Sequence, residues 1–325
     1  MTYLENSKQY TGSDLENIFF RPMLTGESAQ ELGVRVLYNM PQPTHIQLWD
    51  GQRNILQKFT SAGWTGGNPA TKYEKRVSLS RVKAELGFSA ADYFSMVYEK
   101  ITALANVNMD DLSGTELEQA ETALFKQALA ENIRVTMWLG NTASATGYNT
   151  FDGFLKPINS LAGDEAIYCF AYQASELADP VCAVEVFDKL WTGADPRVRD
   201  LKADGQLVYF VSSDIYHLYE KYLDSKGADA AYTDAMNGRR ALAYHGIPVV
   251  DVRLGSYLGA TTFLQSFALL TDRRNLVLAV NTADMPGNEV RMWYNPDEME
   301  NRQRAVFMAG SEILDEALIS FAYKQ

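Results

Sequence analysis

The strongest pattern in the chain is an apolar run with no polar face. Asn275 is followed by Leu276, Val277, Leu278, Ala279 and Val280, so a strand here is covered on both sides and belongs inside a sheet. Beyond Met285-Pro286-Gly287-Asn288, residues 289–294 read as a second strand. Asn295-Pro296 ends it, because the proline ring removes a ladder donor and restricts the residue before it. The two runs read as a hairpin-like unit. Arg302, Arg304, Val306 and Met308 then lead to Gly310. Ile313, Leu314, Ala317, Leu318 and Phe321 fit one face of a helix, while 317–321 also fit a strand, so periodicity leaves this last piece open.

Earlier in the chain, residues 34–38 form a strand candidate closed by Met40-Pro41-Gln42-Pro43. Residues 45–49 and 55–59 flank Asp50-Gly51, a strong turn signal. The stretch 63–69 is rich in glycine and carries Trp64, and residues 75–82 resume as a partly alternating strand. Two strand-like arms around a glycine-rich tip predict a long projecting hairpin over 45–82. Ser89-Ala90-Ala91-Asp92 resembles a capping box and opens a helix to about Leu104. After a polar linker at 110–114, Ser113 with Glu116, or Thr115 with Glu118, caps a second helix that runs to about Val135. Its stripes, Leu117, Ala120, Leu124 and Ala128 beside Phe125, Leu129 and Ile133, predict a broad buried face.

Residues 160–262 form a third piece. A helix over 180–191 shows Val181, Val184, Phe187 and Leu190, an apolar strand follows at 206–212, and a further helix starts at Ser213 or Asp214 and stops at Gly227. His245 sits before Gly246 as a turn residue, ahead of an apolar strand that includes Pro248 and Val249. At the other end, residues 1–33 are polar apart from a patch containing Ile18, Phe19 and Phe20. So few apolar groups cannot form a core, and the segment reads as an arm laid on something else.

Composition narrows the function. With 325 residues the chain holds two domains, or one with insertions, and 46% hydrophobic with 22% charged residues describes a soluble globular protein. A net charge of −12 argues against an electrostatic grip on nucleic acid, yet permits enclosing it. Cys169 and Cys182 make neither a disulfide framework nor a metal spacing, which points to synthesis in a reducing cytoplasm. The first eleven residues lack the apolar stretch of a signal peptide, and no window reaches the ~18 apolar residues of a membrane span.

Candidate chemistry is sparse. The three histidines, His45, His217 and His245, stand far apart, and no His-x-x-x-His, Cys-x-x-Cys or Gly-x-Ser-x-Gly occurs. The glycines at 63–67 lack the Lys-Ser/Thr ending of a phosphate loop. Asp110-Asp111, Asp297-Glu298 and Glu298 with Glu300 read as solvated acidic loops. No catalytic residue, cofactor or metal ligand is assigned. Arg273 and Arg274, and Arg302 and Arg304, are the basic spots, suited to acidic patches on another copy of an acidic protein.

Three passages resemble the major capsid protein of tailed bacteriophages, the Hong Kong 97-type fold: the ending over 267–321, Leu139-Gly140 followed by Gly153-Phe154-Leu155, and the step Gly246, Pro248, Val249. The order of elements follows that family over nearly the whole chain. The resemblance implies an α+β fold with an N-terminal arm (1–33), an extended E-loop hairpin (45–82), a peripheral or P domain with a long spine helix (34–44, 83–160 and 263–325) and an inserted axial or A domain (161–262). It implies a virion component built in the bacterial host cytoplasm, with copies of itself in hexamers and pentamers as chief partner. A separate scaffolding protein and a portal would complete the shell, which encloses double-stranded DNA without sequence-specific binding.

Ile18, Phe19, Phe20, Trp64, Arg273, Arg274, Arg302 and Arg304 are then the expected assembly contacts. Some capsids of this family join a Lys to an Asn. Lys58, Lys72 and Lys75 lie in or near the hairpin, but no acceptor Asn or catalytic Glu can be aligned, so no crosslink is assigned. An encapsulin-like compartment shell of the same fold, and an α/β enzyme with a site near Tyr209 to His217, are the alternatives.

Overall fold

A computed structural model describes residues 8–10, 33–40, 44–49, 72–89, 116–226, 242–258, 265–281, 289–295, 297–298 and 300–325. The chain opens with β1 (Lys8–Tyr10), β2 (Arg35–Tyr38), β3 (Thr44–Trp49), β4 (Lys72–Val77) and β5 (Ser80–Ser89). Helices α1 (Glu116–Leu139) and α2 (Leu155–Gly163) come next, then β6 (Tyr168–Tyr172), α3 (Val181–Gly193) and α4 (Pro196–Asp200). Then follow β7 (Leu207–Val211), α5 (Ser213–Ser225), β8 (Leu242–Tyr244) and β9 (Ile247–Asp251). The chain closes with β10 (Phe267–Asp272), β11 (Leu276–Asn281), β12 (Glu289–Asn295), β13 (Glu300–Ile313) and β14 (Ser320–Lys324). The architecture is mixed α+β.

Strand β13 organises the first sheet. On one side it pairs antiparallel with β5, from Glu300 opposite Ser89 to Ala309 opposite Ser80. On the other side β12 occupies 300–306 and β11 occupies 308–313. Strands β11 and β12 therefore lie end to end along one neighbour and do not pair with each other. This corrects the hairpin-like reading of 275–294: each run finds its ladder partner in β13, which follows both in sequence. Strand β2 joins β11 in parallel, and β1 joins β12 antiparallel.

The second sheet runs in the order β6-β14-β10-β7-β9-β8. Its two central strands are wholly buried because each of their faces meets a different core. Val208, Phe210, Phe267 and Leu269 face the cluster that contains α1 and α2, whereas Tyr209, Val211, Ala268 and Leu270 face the cluster that contains α3 and α5. Trp138 of α1 packs against Phe154, Phe210 and Phe267 at ring-centroid distances of 5.4, 5.3 and 6.0 Å, tying helix, loop and sheet together. Burial on both faces explains why these strands read as unbroken apolar runs.

The open choice at the C-terminal end resolves toward strand. Beyond Ile313, Asp315 accepts a hydrogen bond from the Ala317 N–H at 2.9 Å and starts a short 3-10 turn, Glu316–Leu318, after which β14 pairs with β10 and β6. The turn at His245-Gly246 joins β8 to β9, with φ of +50° and +83°. The strand expected over 75–82 is two strands broken at Ser78-Leu79, and the second runs on to Ser89, where a helix cap is expected. The helix expected over 89–104 otherwise lies outside the described residues.

Two helix faces also differ from expectation. On α1, Phe125, Leu129 and Ile133 are buried and Ala128 is half-buried, but Leu124 is 49% exposed and falls outside the expected face. On α3 the buried set is Cys182, Ala183, Val186, Phe187 and Leu190, and Val181 is 42% exposed. A strict spacing of three drifts off a face that turns every 3.6 residues.

Candidate functional site

The region that best resembles a chemical site is a chain of hydroxyls where β7 turns into α5. The Tyr172 and Ser266 hydroxyls lie 2.6 Å apart, Ser266 and Ser212 lie 3.2 Å apart, and the Ser212 hydroxyl donates to Asp214. The Phe267 N–H donates to Ser212 Oγ at 3.1 Å, and the Ile215 N–H to Asp214 at 2.9 Å. Every group is thus used to close strand and helix ends. Burial pushes the Tyr172 phenol well above its ordinary value, against the pull of the Ser266 hydrogen bond. Tyr209 is fully buried, its hydroxyl donating to the Phe187 carbonyl at 3.5 Å, whereas the His217 side chain is 62% exposed. One group is sealed in the core and the other stands in water, so they do not form one cleft. Among the described residues no cluster of His, Cys, Asp and Glu is arranged to hold a metal, and no helix is long and apolar enough to cross a membrane.

The features that remain concern shape and reach. Strands β3 and β4 form a separate two-stranded sheet, Thr44 opposite Val77 and Trp49 opposite Lys72. The root of this hairpin is fixed closely. An added Cβ at Gly310 of β13 would come within 2.1 Å of the Ser78 carbonyl oxygen, so backbone meets backbone there. Above it, the Lys75 ammonium reaches Glu316 at 2.8 Å and Glu312 at 3.7 Å. Lys75 gains from two carboxylates, whose pull outweighs the burial that would lower its pKa, and the net shift is upward. Glu312 is the more buried of the two acids and shares one cation, so burial lifts its pKa although Lys75 opposes the lift.

A second close approach fixes the end of α1. An added Cβ at Gly140 would lie 2.2 Å from the Phe151 carbonyl oxygen and 2.5 Å from that of Thr136, and one at Gly153 would lie 2.6 Å from the Gly140 nitrogen. The Gly153 N–H donates to the Gly140 carbonyl and the Phe154 N–H to that of Met137, both at 2.8 Å. Leu139-Gly140 and Gly153-Phe154-Leu155, which carry the second resemblance, are therefore one packed junction. Beside it an open groove of about 480 Å³ lies between α1 and β5, lined by apolar groups such as Leu86, Phe125, Leu129 and Phe307.

Of the expected assembly contacts, Ile18, Phe19, Phe20 and Trp64 lie outside the described residues. Arg274 grips Asp272 with Nε to Oδ1 at 3.0 Å and Nη2 to Oδ2 at 2.5 Å. Arg302 pairs with Glu298 and Glu300, and Arg304 Nη2 pairs with Glu289 at 2.6 Å. Arg273 packs its stem against Gly33, and its buried Nε has no hydrogen-bond partner among the described residues. The structure does not bring the four arginines into one patch: Arg302 and Arg304 stand on β13, Arg273 and Arg274 in the turn after β10. Sequence reasoning marked Lys75 but not Glu312 and Glu316, which are more than two hundred positions away and carry no local signal.

No family model matches the chain, and no curated protein matches it. Solved structures do. A chain of the satellite phage P4 procapsid, a particle that includes the size determination (Sid) protein, superposes with a TM-score of 0.56 at 12% identity, over 93% of this chain and 96% of that one. A chain of the cyanophage P-SCSP1u capsid gives 0.51 at 11% identity, over 91% and 88%. One of the mature capsid of bacteriophage PhiM1 gives 0.50 at 12%, over 90% and 86%. The protein has the tailed-phage capsid fold.

Proposed function

We propose that this chain is a shell subunit, the major capsid protein of a tailed bacteriophage, which assembles in many copies around a double-stranded DNA genome. The observation that carries the reading is the extent of the fold likeness, which spans 93% of this chain and 96% of the P4 procapsid chain. In this reading β3 and β4 are the stem of the E-loop, α1 is the spine helix of the P domain, residues 161–262 are the A domain, and 1–33 are the arm. The subunit works by geometry. Each limb makes a modest contact with a neighbour, and a closed shell holds because many such contacts are made at once.

Hexamers and pentamers of this chain, a separate scaffolding protein and a portal complete the assembly, and the net charge of −12 suits a wall that encloses DNA without gripping it. Expressing the chain alone and with its neighbouring genes, followed by negative-stain microscopy, tests the proposal. Closed shells or curved sheets are expected. Particles that hold a folded cargo enzyme instead of DNA would move the reading to an encapsulin-like compartment, and a dispersed 36.3 kDa chain under all conditions would overturn it.

A further inference from the structure

The β3–β4 hairpin has little of its own to hold it. It is a two-stranded sheet outside both larger sheets, and an isolated two-stranded ribbon is marginal in water. At its root Val77 and Leu79 share a small apolar cluster with Ala279, flanked by Ile46 and Met308, apart from the two main cores. Such a cluster and the Gly310–Ser78 approach fix where the hairpin starts. They leave its tilt about that point to whatever binds it beyond the root.

The group found there is Lys75. It lies on β4, while both its carboxylate partners belong to the body: Glu312 on the last turn of the ladder in β13 and Glu316 in the 3-10 turn before β14. Asp315, between them, is turned to Arg197 at 3.6 Å, which leaves Glu312 and Glu316 to the lysine. The lysine side chain is 30% exposed, Glu312 25% and Glu316 46%, so water screens the short contact to Glu316 more than the longer one to Glu312.

We infer that Lys75, Glu312 and Glu316 form a latch that sets the angle at which the hairpin leaves the body. The two carboxylates come from different elements of the body, so the one ammonium ties β4 to two points there and resists tilting of the hairpin away from them. Charge here serves direction more than stability: the ion pairs select one bearing among several that the apolar root would tolerate. The inference rests on the shell reading for its consequence, since the hairpin's bearing decides which neighbour it meets. The latch itself is a property of the single chain.

Electron–electron distance spectroscopy on the full chain tests it. Spin labels at Glu74→Cys, further out on the hairpin than the root, and Ser160→Cys on α2, both exposed, are placed in a Cys169→Ser, Cys182→Ala background and diluted into unlabelled chain. One narrow distance distribution is expected with the native charges. Lys75→Met should raise the population of other distances roughly two- to fivefold, as expected for ion pairs of this exposure. Glu312→Gln with Glu316→Gln should do the same while sparing Lys75, and it decides the question if Lys75→Met fails to fold. An unchanged distribution in a variant with native circular dichroism overturns the latch. Because the distance is read in dispersed chains, a failure to form shells with the narrow distribution intact would overturn the shell reading alone.

Discussion

Replacing Gly140 by alanine puts one methyl group where the structure has room for none. The new Cβ would sit 2.2 Å from the Phe151 oxygen, 2.5 Å from the Thr136 oxygen and 3.0 Å from the Gly153 nitrogen, all backbone atoms that cannot rotate away. Relief requires the loop at 151–153 to move off the end of α1. That stretches the Gly153-to-Gly140 and Phe154-to-Met137 hydrogen bonds, both 2.8 Å, and loosens Phe154 from Trp138. Overpacking of this kind costs ~1–3 kcal/mol. Leaving buried backbone groups unpaired adds ~1–3 kcal/mol. Alanine's better helix propensity returns at most about 1 kcal/mol. The net expectation is a loss of about 1–5 kcal/mol, a sizeable part of the ~5–15 kcal/mol that usually holds a domain.

Two other glycines provide the scale. Gly163 ends α2 with nothing within 4 Å and no positive φ, so Gly163→Ala should be neutral or stabilising by up to ~1 kcal/mol. Gly205 has open space but φ of +66°, so Gly205→Ala should cost only the left-handed strain of ~1–2 kcal/mol. Urea unfolding of the dispersed chain, followed by far-ultraviolet circular dichroism, orders the three. If Gly140→Ala falls within about 1 kcal/mol of Gly163→Ala, the packed-junction argument is refuted.

Leu129→Ala should cost ~2–5 kcal/mol because the side chain is 4% exposed, while Leu124→Ala at 49% exposure should leave the dispersed chain almost unchanged; similar melting shifts for both would contradict the unlike burial of these two α1 residues. Arg304→Gln removes a partly exposed pair with Glu289 and should cost the dispersed chain no more than ~1 kcal/mol, whereas an effect on shells at low salt that vanishes at high salt would mark an added partner on a neighbour. Burial raises the folded-state pKa of both Tyr172 and Tyr209, so the stability they contribute is whole below their unfolded value of ~10 and falls as pH climbs above it. Their phenolate absorbance should therefore appear only together with the loss of far-ultraviolet signal, and its appearance in a folded chain would count against their burial.

Much of the fold was legible because burial leaves a mark on neighbouring residues. Strands β7 and β11 showed as unbroken apolar runs, whereas the Leu139-Gly140 and Gly153-Phe154-Leu155 passages stood out only by resemblance, and the structure supplies the reason, two backbones meeting where a Cβ does not fit. Strand β13 was legible in principle: Gln303, Ala305, Phe307 and Ala309 are buried and alternate with the more exposed Arg302, Arg304, Val306 and Met308. Its arginines drew attention to charge and away from that period of two. Pairing was less legible. That β11 and β12 share one neighbour depends on a strand whose partners lie as far on as Ile313 opposite Leu276, and no local pattern encodes it. The exposure of Leu124 and Val181 was likewise invisible, since a sequence shows an apolar residue but not whether a partner covers it. The Lys75 contacts lie beyond any local reading for the same reason.

A shell subunit of this kind must reach from one copy of the chain to another. A cryo-electron microscopy reconstruction of the assembled protein should show the stem formed by β3 and β4 directed onto an adjacent subunit of a closed icosahedral shell. Particles whose subunits meet without that hairpin crossing to a neighbour, or a chain that stays a solitary 36.3 kDa body at every concentration, would contradict it.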